Sequence, residues 1–133
     1  MYSESAFDLV LSIVTAVPEG RPEGTPMGGT VSRLGRELPL TGYFVGGMVP
    51  GLVYESFVSL DAPEVARYVD GLPTDFAGWW VDRDDGKIYV DAIEWCASEF
   101  TACQVGRKYN EIAVWDIRRG EEIRLDYGKG EAL

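Results

Sequence analysis

Residues 18–51 carry nine glycines and five prolines, of 16 and 7 in the whole chain, and this density limits most what the chain can build. Proline removes a backbone donor and glycine costs backbone entropy, so neither a long helix nor a central strand is expected here. The stretch opens with PEGRPEGTPMGG, and residues 18–41 are expected to form a long Gly/Pro-rich loop. Two short apolar runs follow, 43–45 and 52–54, placed to pair as strands about a GGMVPG turn. Most regular structure must therefore come from outside this region.

On its N-terminal side, residues 6–17 (AFDLVLSIVTAV) are rich in Val, Ile and Leu, and the alternation of Phe7, Leu9, Leu11 and Ile13 predicts a strand. On its C-terminal side the signals are more local. Asp61 can cap a helix whose first turn takes Pro63, with Glu64 in capping-box spacing, and Gly71 then Pro73 stop it. A hairpin is expected from 78–82 and 87–93 about an Asp-Gly turn. Ser98 starts a second helix over 98–109, weakened by Gly106, and Asn110 suits its left-handed exit. Residues 111–117 and 122–125 flank a last turn at Arg118, Arg119, Gly120 and Glu121, and 126–133 read as a frayed tail. The order strand 87–93, helix 98–109, strand 111–117 is a β-α-β unit, right-handed if its strands run parallel in one sheet. The fold expected is a single α+β domain over 1–133, a mainly antiparallel mixed sheet with two helices on one face.

Twelve basic and 22 acidic residues give a net charge of −10, which repels nucleic acid and anionic membrane surfaces. Residues 52–100 hold eleven of the acids and only Arg67, Arg83 and Lys87 as bases, so one strongly acidic face is expected. No stretch reaches the roughly 20 apolar residues of a membrane span. No secretory signal is read at the N-terminus, where Glu4 and Asp8 precede the first base, Arg21. The two cysteines, Cys96 and Cys103, suit reduced, buried thiols, and a cytoplasmic address is expected. The chain has no histidine, which sets aside Ser-His-Asp and Cys-His nucleophiles and most zinc sites.

Residues 42–125 carry GYFVGG at 42–47, GWWVD at 78–82, GKIYVDA at 86–92, EIAVWDI at 111–117 and EEIR at 121–124. This succession resembles a set of small proteins from actinobacteria and their phages that have no known activity. The resemblance implies a phage or mobile-element origin and brings no catalytic residue. Such proteins tend to have a Leu-rich second helix, where this chain has Phe100, Cys103 and Gly106.

Asp82, Asp84, Asp85 and Gly86 resemble the start of a calcium loop, but the glycine and glutamate such a loop needs at its sixth and twelfth positions are Lys87 and Ile93 here. A solvated turn is the simpler reading, and no metal or cofactor is expected. Trp79 and Trp80 are adjacent in a strand and must point to opposite faces, so one is free for an interface unless both faces are covered. The function expected is a non-catalytic accessory factor of phage type, binding a basic host protein as an inhibitor or nucleic-acid competitor. Its expected interface is Trp79, Asp82, Asp84, Asp85, Asp91 and Glu94. The alternative is a small nucleotide- or ligand-binding enzyme built on the 42–51 loop, whose glycines would bring backbone amides to an anion. It would use Tyr43, Gly46, Gly47, Gly51, Tyr54 and Glu55. A structural subunit, seen as homo-oligomers in solution, is the third expectation.

Overall fold

Residues 2–16, 28–82 and 86–125 are described by the computed structural model of the chain. Helix α1 spans Glu4–Ala16, where a strand was expected. Its start is fixed from two sides: Ser3 Oγ accepts from the Ala6 amide at 3.1 Å, while the Ser3 amide and hydroxyl both donate to the Asp70 carboxylate. Those bonds hold the Asp70 carboxyl below the usual range. Ala6, Leu9 and Ile13 lie fully buried at helical spacing, whereas Phe7, Leu11 and Val14 face outward. The strand-like alternation of the sequence is thereby split between the two sides of a helix.

Strand β1 (Gly28–Ser32) lies inside the region expected to be loop and pairs with β4 (Phe76–Val81). A Cβ on Gly28 would stand 2.9 Å from the Trp79 carbonyl, and one on Gly29 3.0 Å from the Trp79 indole nitrogen. The glycines that argued against a strand are what lets this one cross the two tryptophans. The remainder of that loop, 18–27, and the tail 126–133 lie outside the described residues.

Strands β2 (Tyr43–Gly46) and β3 (Leu52–Tyr54) do not pair with each other. Both run antiparallel to the same β5 (Ile88–Cys96), Gly46 opposite Ile93 and Leu52 opposite Val90. They are two halves of one strand position, and residues 47–51 are an excursion between them instead of a hairpin turn.

The local signals of the C-terminal half hold. Helix α2 (Ala62–Asp70) is capped by Asp61, whose Oδ1 accepts from the Glu64 amide at 3.0 Å. Helix α3 (Glu99–Lys108) is capped by Ser98, and Asn110 takes φ +60° just beyond it. Strands β6 (Ala113–Asp116) and β7 (Glu121–Arg124) form the last hairpin.

The chain is an α+β domain, and its described residues form three α-helices, a short 3-10 turn at Phe57–Ser59 and one seven-stranded sheet, ordered β1-β4-β5-β2-β6-β7 with β3 beside β5. Among the described residues every strand pairing is antiparallel, in line with the mainly antiparallel sheet expected, and none of the pairings is parallel. Strands β5 and β6 share a direction, but β2 lies between them, and the expected β-α-β unit spans it. Leu9, Ile13, Val65 and Val69 from α1 and α2 cluster with Ala77, Trp79, Ile88, Val90 and Ala92. Ala102 of α3 clusters with Val45, Cys96, Val114 and Leu125. By strand alternation the strand residues among these point the same way. Among the described residues, no helix is long and apolar enough to cross a membrane.

Candidate functional site

Residues opposite each other in an antiparallel ladder share a face, so the register defines what the other side of the sheet presents. Across β4, β5 and β3 it pairs Trp80 with Tyr89 and Tyr89 with Val53. Across β5, β2 and β6 it lines up Trp95, Phe44 and Trp115. Between these rows lie Phe76 opposite Ile93 and Gly78 opposite Asp91. The face turned away from the described helices therefore carries rows of aromatic rings.

Its rings are held in place. Trp80 stacks on Tyr89 with centroids 4.7 Å apart and planes 15° apart, and its Nε1 donates to Asp91 Oδ2 at 3.3 Å. Phe44 and Phe76 meet at 5.3 Å, tilted by 55°. The Trp95 indole donates to the Thr41 carbonyl at 2.9 Å, fixing the ring over the start of β2. Trp80, Trp95 and Trp115 nevertheless stay 41%, 43% and 42% exposed. Three tryptophan rings left half exposed on one side of the sheet are of the residue type that protein interfaces favour.

Of the expected interface, Trp79 is corrected: it is 2% exposed, beneath α1, with its Nε1 donating to Ser12 Oγ at 2.9 Å. Trp80 is the outward member of the pair. Asp91 lies on the aromatic face and Glu94 on the helix side, where its carboxylate holds the Tyr109 hydroxyl and, with burial, pushes it up. Asp82 is half-buried at the end of β4, and Asp84 and Asp85 lie outside the described residues. The described acids of 52–100 do not share one face, since Asp91 and Glu94 leave opposite sides of β5. Asp61 caps α2, Glu64 accepts from the Tyr54 hydroxyl, Asp70 binds Ser3 and Glu55 pairs with Lys87 at 3.6 Å.

The alternative ligand site is also rearranged. Tyr43 packs with the α3 cluster, and Tyr54 is buried with its hydroxyl 2.5 Å from Glu64 Oε1, which together with burial raises it. Neither side chain converges with Glu55 on the glycines. What meets the glycines is a pair of carboxylates: a Cβ on Gly47 would stand 2.6 Å from Glu111 Oε2, and one on Gly51 2.3 Å from Asp91 Oδ1. Burial, then the nearby Asp91 charge, pushes the Glu111 carboxyl up to about 7, and burial raises Asp91. The glycine backbone is thus covered by acids of the same chain, which would repel a phosphate. Sequence reasoning missed Glu111, because only the excursion at 47–51 brings it to Asp91.

Glu37, Pro39, Met48, Pro73, Thr74, Asp75, Phe76, Glu94 and Trp95 line an open groove of about 530 Å³. It follows from the register: β4 begins at Phe76, opposite Ile93, so Glu94 and Trp95 have no β4 neighbour. The groove adjoins Phe76 and Trp95 of the aromatic face. Cys96 and Cys103 are free thiols, both raised by burial. Among the described residues, no group of three or more potential metal-binding side chains occurs. No protein-family model, curated protein or solved structure matches the chain.

Proposed function

We propose that this chain is a non-catalytic protein-binding factor, of phage or mobile-element type and acting in the host cytoplasm, whose aromatic sheet face docks on a basic protein surface. The observation that carries the reading is the three outward tryptophans on one sheet face, since tryptophan dominates interface energetics where it is presented to a partner. The partner's sign follows from the net charge of −10, which steers basic surfaces toward the chain and opposes nucleic acid and other acidic partners. Binding in this way would compete with whatever anionic ligand the partner's basic surface holds.

The test is capture from host lysate by the wild-type chain and by a Trp80→Ala/Trp115→Ala double variant. Loss of two exposed rings is expected to weaken capture of the same proteins about tenfold. Wild-type capture is expected to fall with salt, from 50 to 300 mM on the order used for steered encounters. Equal capture by the double variant, with circular dichroism unchanged, would remove the aromatic face from the mechanism.

A further inference from the structure

Residues 47–51, the excursion between β2 and β3, have glycine at both ends, and Gly47 takes φ +96°. Among the described residues, no backbone-to-backbone hydrogen bond outside the helices and strands involves them. Two contacts hold the segment to the body of the fold: the Tyr68 hydroxyl donates to the Pro50 carbonyl at 2.9 Å, and Val49 packs against the main core. A segment with so few bonds opens more readily than the sheet around it. Two carboxylates complete its closure. A Cβ on Gly46 would stand 3.2 Å from Glu111 Oε1 and 3.6 Å from the Asp91 Cβ, so the two acids converge where the excursion begins. Glu111 Oε2 reaches on to Gly47, and Asp91 Oδ1 reaches Gly51, where the excursion ends.

The groups packed around the pair do not neutralise it. Among the described residues neither acid has an ion pair. From β4, Trp80 Nε1 donates to Asp91, and from α2 the Tyr68 hydroxyl keeps its proton, raised by burial and by Asp91. Just past α3, Tyr109 sets its Cβ against Gly47 and its hydroxyl on Glu94, while Lys108 lies over the Tyr109 ring with its Nζ 5.9 Å from the centroid.

We infer that Asp91 and Glu111 form a proton-controlled latch on residues 47–51: a proton on the pair keeps the excursion closed against β5, and ionisation of both carboxylates lets it swing out on Gly47 and Gly51. Two negative charges confined together repel, and opening returns each to water. In the closed form burial and the Asp91 charge hold the Glu111 proton up to about 7, against an ordinary value of 4.5. The closed form is therefore fully favoured below 4.5 and loses that advantage as pH rises to about 7. The gap favours opening by at most about 300-fold, which screening of these partly exposed groups reduces to about tenfold. Opening carries Met48 away from the groove that it lines with Phe76 and Trp95. Trp80 is held by the same Asp91, so the latch also sets one ring of the aromatic face; this consequence alone rests on the proposed docking function.

The test is ¹³C-methyl relaxation dispersion of Met48 and Val49 in the full chain from pH 5 to pH 8, a method that reads loop opening on the microsecond-to-millisecond scale. The open population is expected to rise about tenfold over that range, while Leu9 of α1 and Val114 of β6 stay quiet. Glu111→Gln should remove the rise, and so should Asp91→Asn, which keeps an acceptor for the Trp80 indole. No rise at Met48 and Val49, or an equal rise in both variants, would overturn the latch. A rise shared by Leu9 and Val114 would overturn it too, since the pair would then loosen the whole domain. Lysate capture by the Trp80→Ala/Trp115→Ala variant reads the docking face separately, so either idea can fail alone.

Discussion

Trp79→Ala is expected to cost about 3–5 kcal/mol of folding stability, while Trp80→Ala, one residue along the same strand, costs about 1 kcal/mol. The two indoles differ only in which face they leave from. Trp79 is 2% exposed and sits among Leu9, Ile13, Val65, Val69 and Val90, so its removal opens a cavity between three elements. The same truncation strips Ser12 Oγ of its indole donor and leaves β1 without the ring that Gly29 lies against. Trp80 is 41% exposed and loses chiefly its stacking on Tyr89. Typical domains are stable by about 5–15 kcal/mol, so the first change puts the fold at risk and the second does not. Urea unfolding followed by circular dichroism checks the pair. Similar losses in the two variants would mean that the helices do not cover the face carrying Trp79.

That contrast also marks how far the sequence could be read. Two adjacent strand tryptophans must diverge, and that much is visible in the residues themselves. Which one is buried depends on α1, whose residues read as a strand in isolation. Its helix is decided by Asp70, which fixes Ser3 from 67 positions away, and by the apolar surface of β4. Such information is absent from any short window. By contrast the Asp61 and Ser98 caps, the left-handed Asn110 and the hairpin between β4 and β5 were all legible, because each works within a few residues. Glycine misled twice for one reason. At 28–29 and 46–51 it serves close approach of other groups, where composition suggested loop and turn. Of the aromatic face only the divergence of Trp79 and Trp80 was legible, and the expected interface named the buried Trp79, whereas Trp95 and Trp115 join the face only through the pairing of both with Phe44 on β2.

The Asp91–Glu111 pair gives the second large expected effect: stability should fall as pH rises from about 4.5 to about 7, and Glu111→Gln should abolish most of that fall. In the unfolded chain Glu111 ionises near its ordinary value of 4.5, whereas burial and the Asp91 charge hold its proton in the folded state up to about 7. Between those values the folded state binds more protons than the unfolded one. The stabilisation is complete below 4.5 and is lost as pH climbs through 7. A full conversion would give about 3 kcal/mol, which solvent screening of this partly exposed side chain reduces to about 1–2 kcal/mol. The groups around the pair do not offset it. Trp80 Nε1 donates to Asp91, Tyr68 of α2 is itself raised by burial and by Asp91, and Tyr109, just past α3, lies against Gly47 with its hydroxyl on Glu94. Asp70 acts in the opposite sense but below 3.8, outside the window. Glutamine keeps the shape and removes the charge, so the variant should exceed wild type at pH 8 by about 1–2 kcal/mol and match it near pH 5. Urea midpoints of both proteins from pH 5 to pH 8 decide the matter. Parallel slopes would mean that Glu111 ionises as freely in the fold as out of it, and that the carboxylates packed against Gly47 and Gly51 do not share a low-dielectric site.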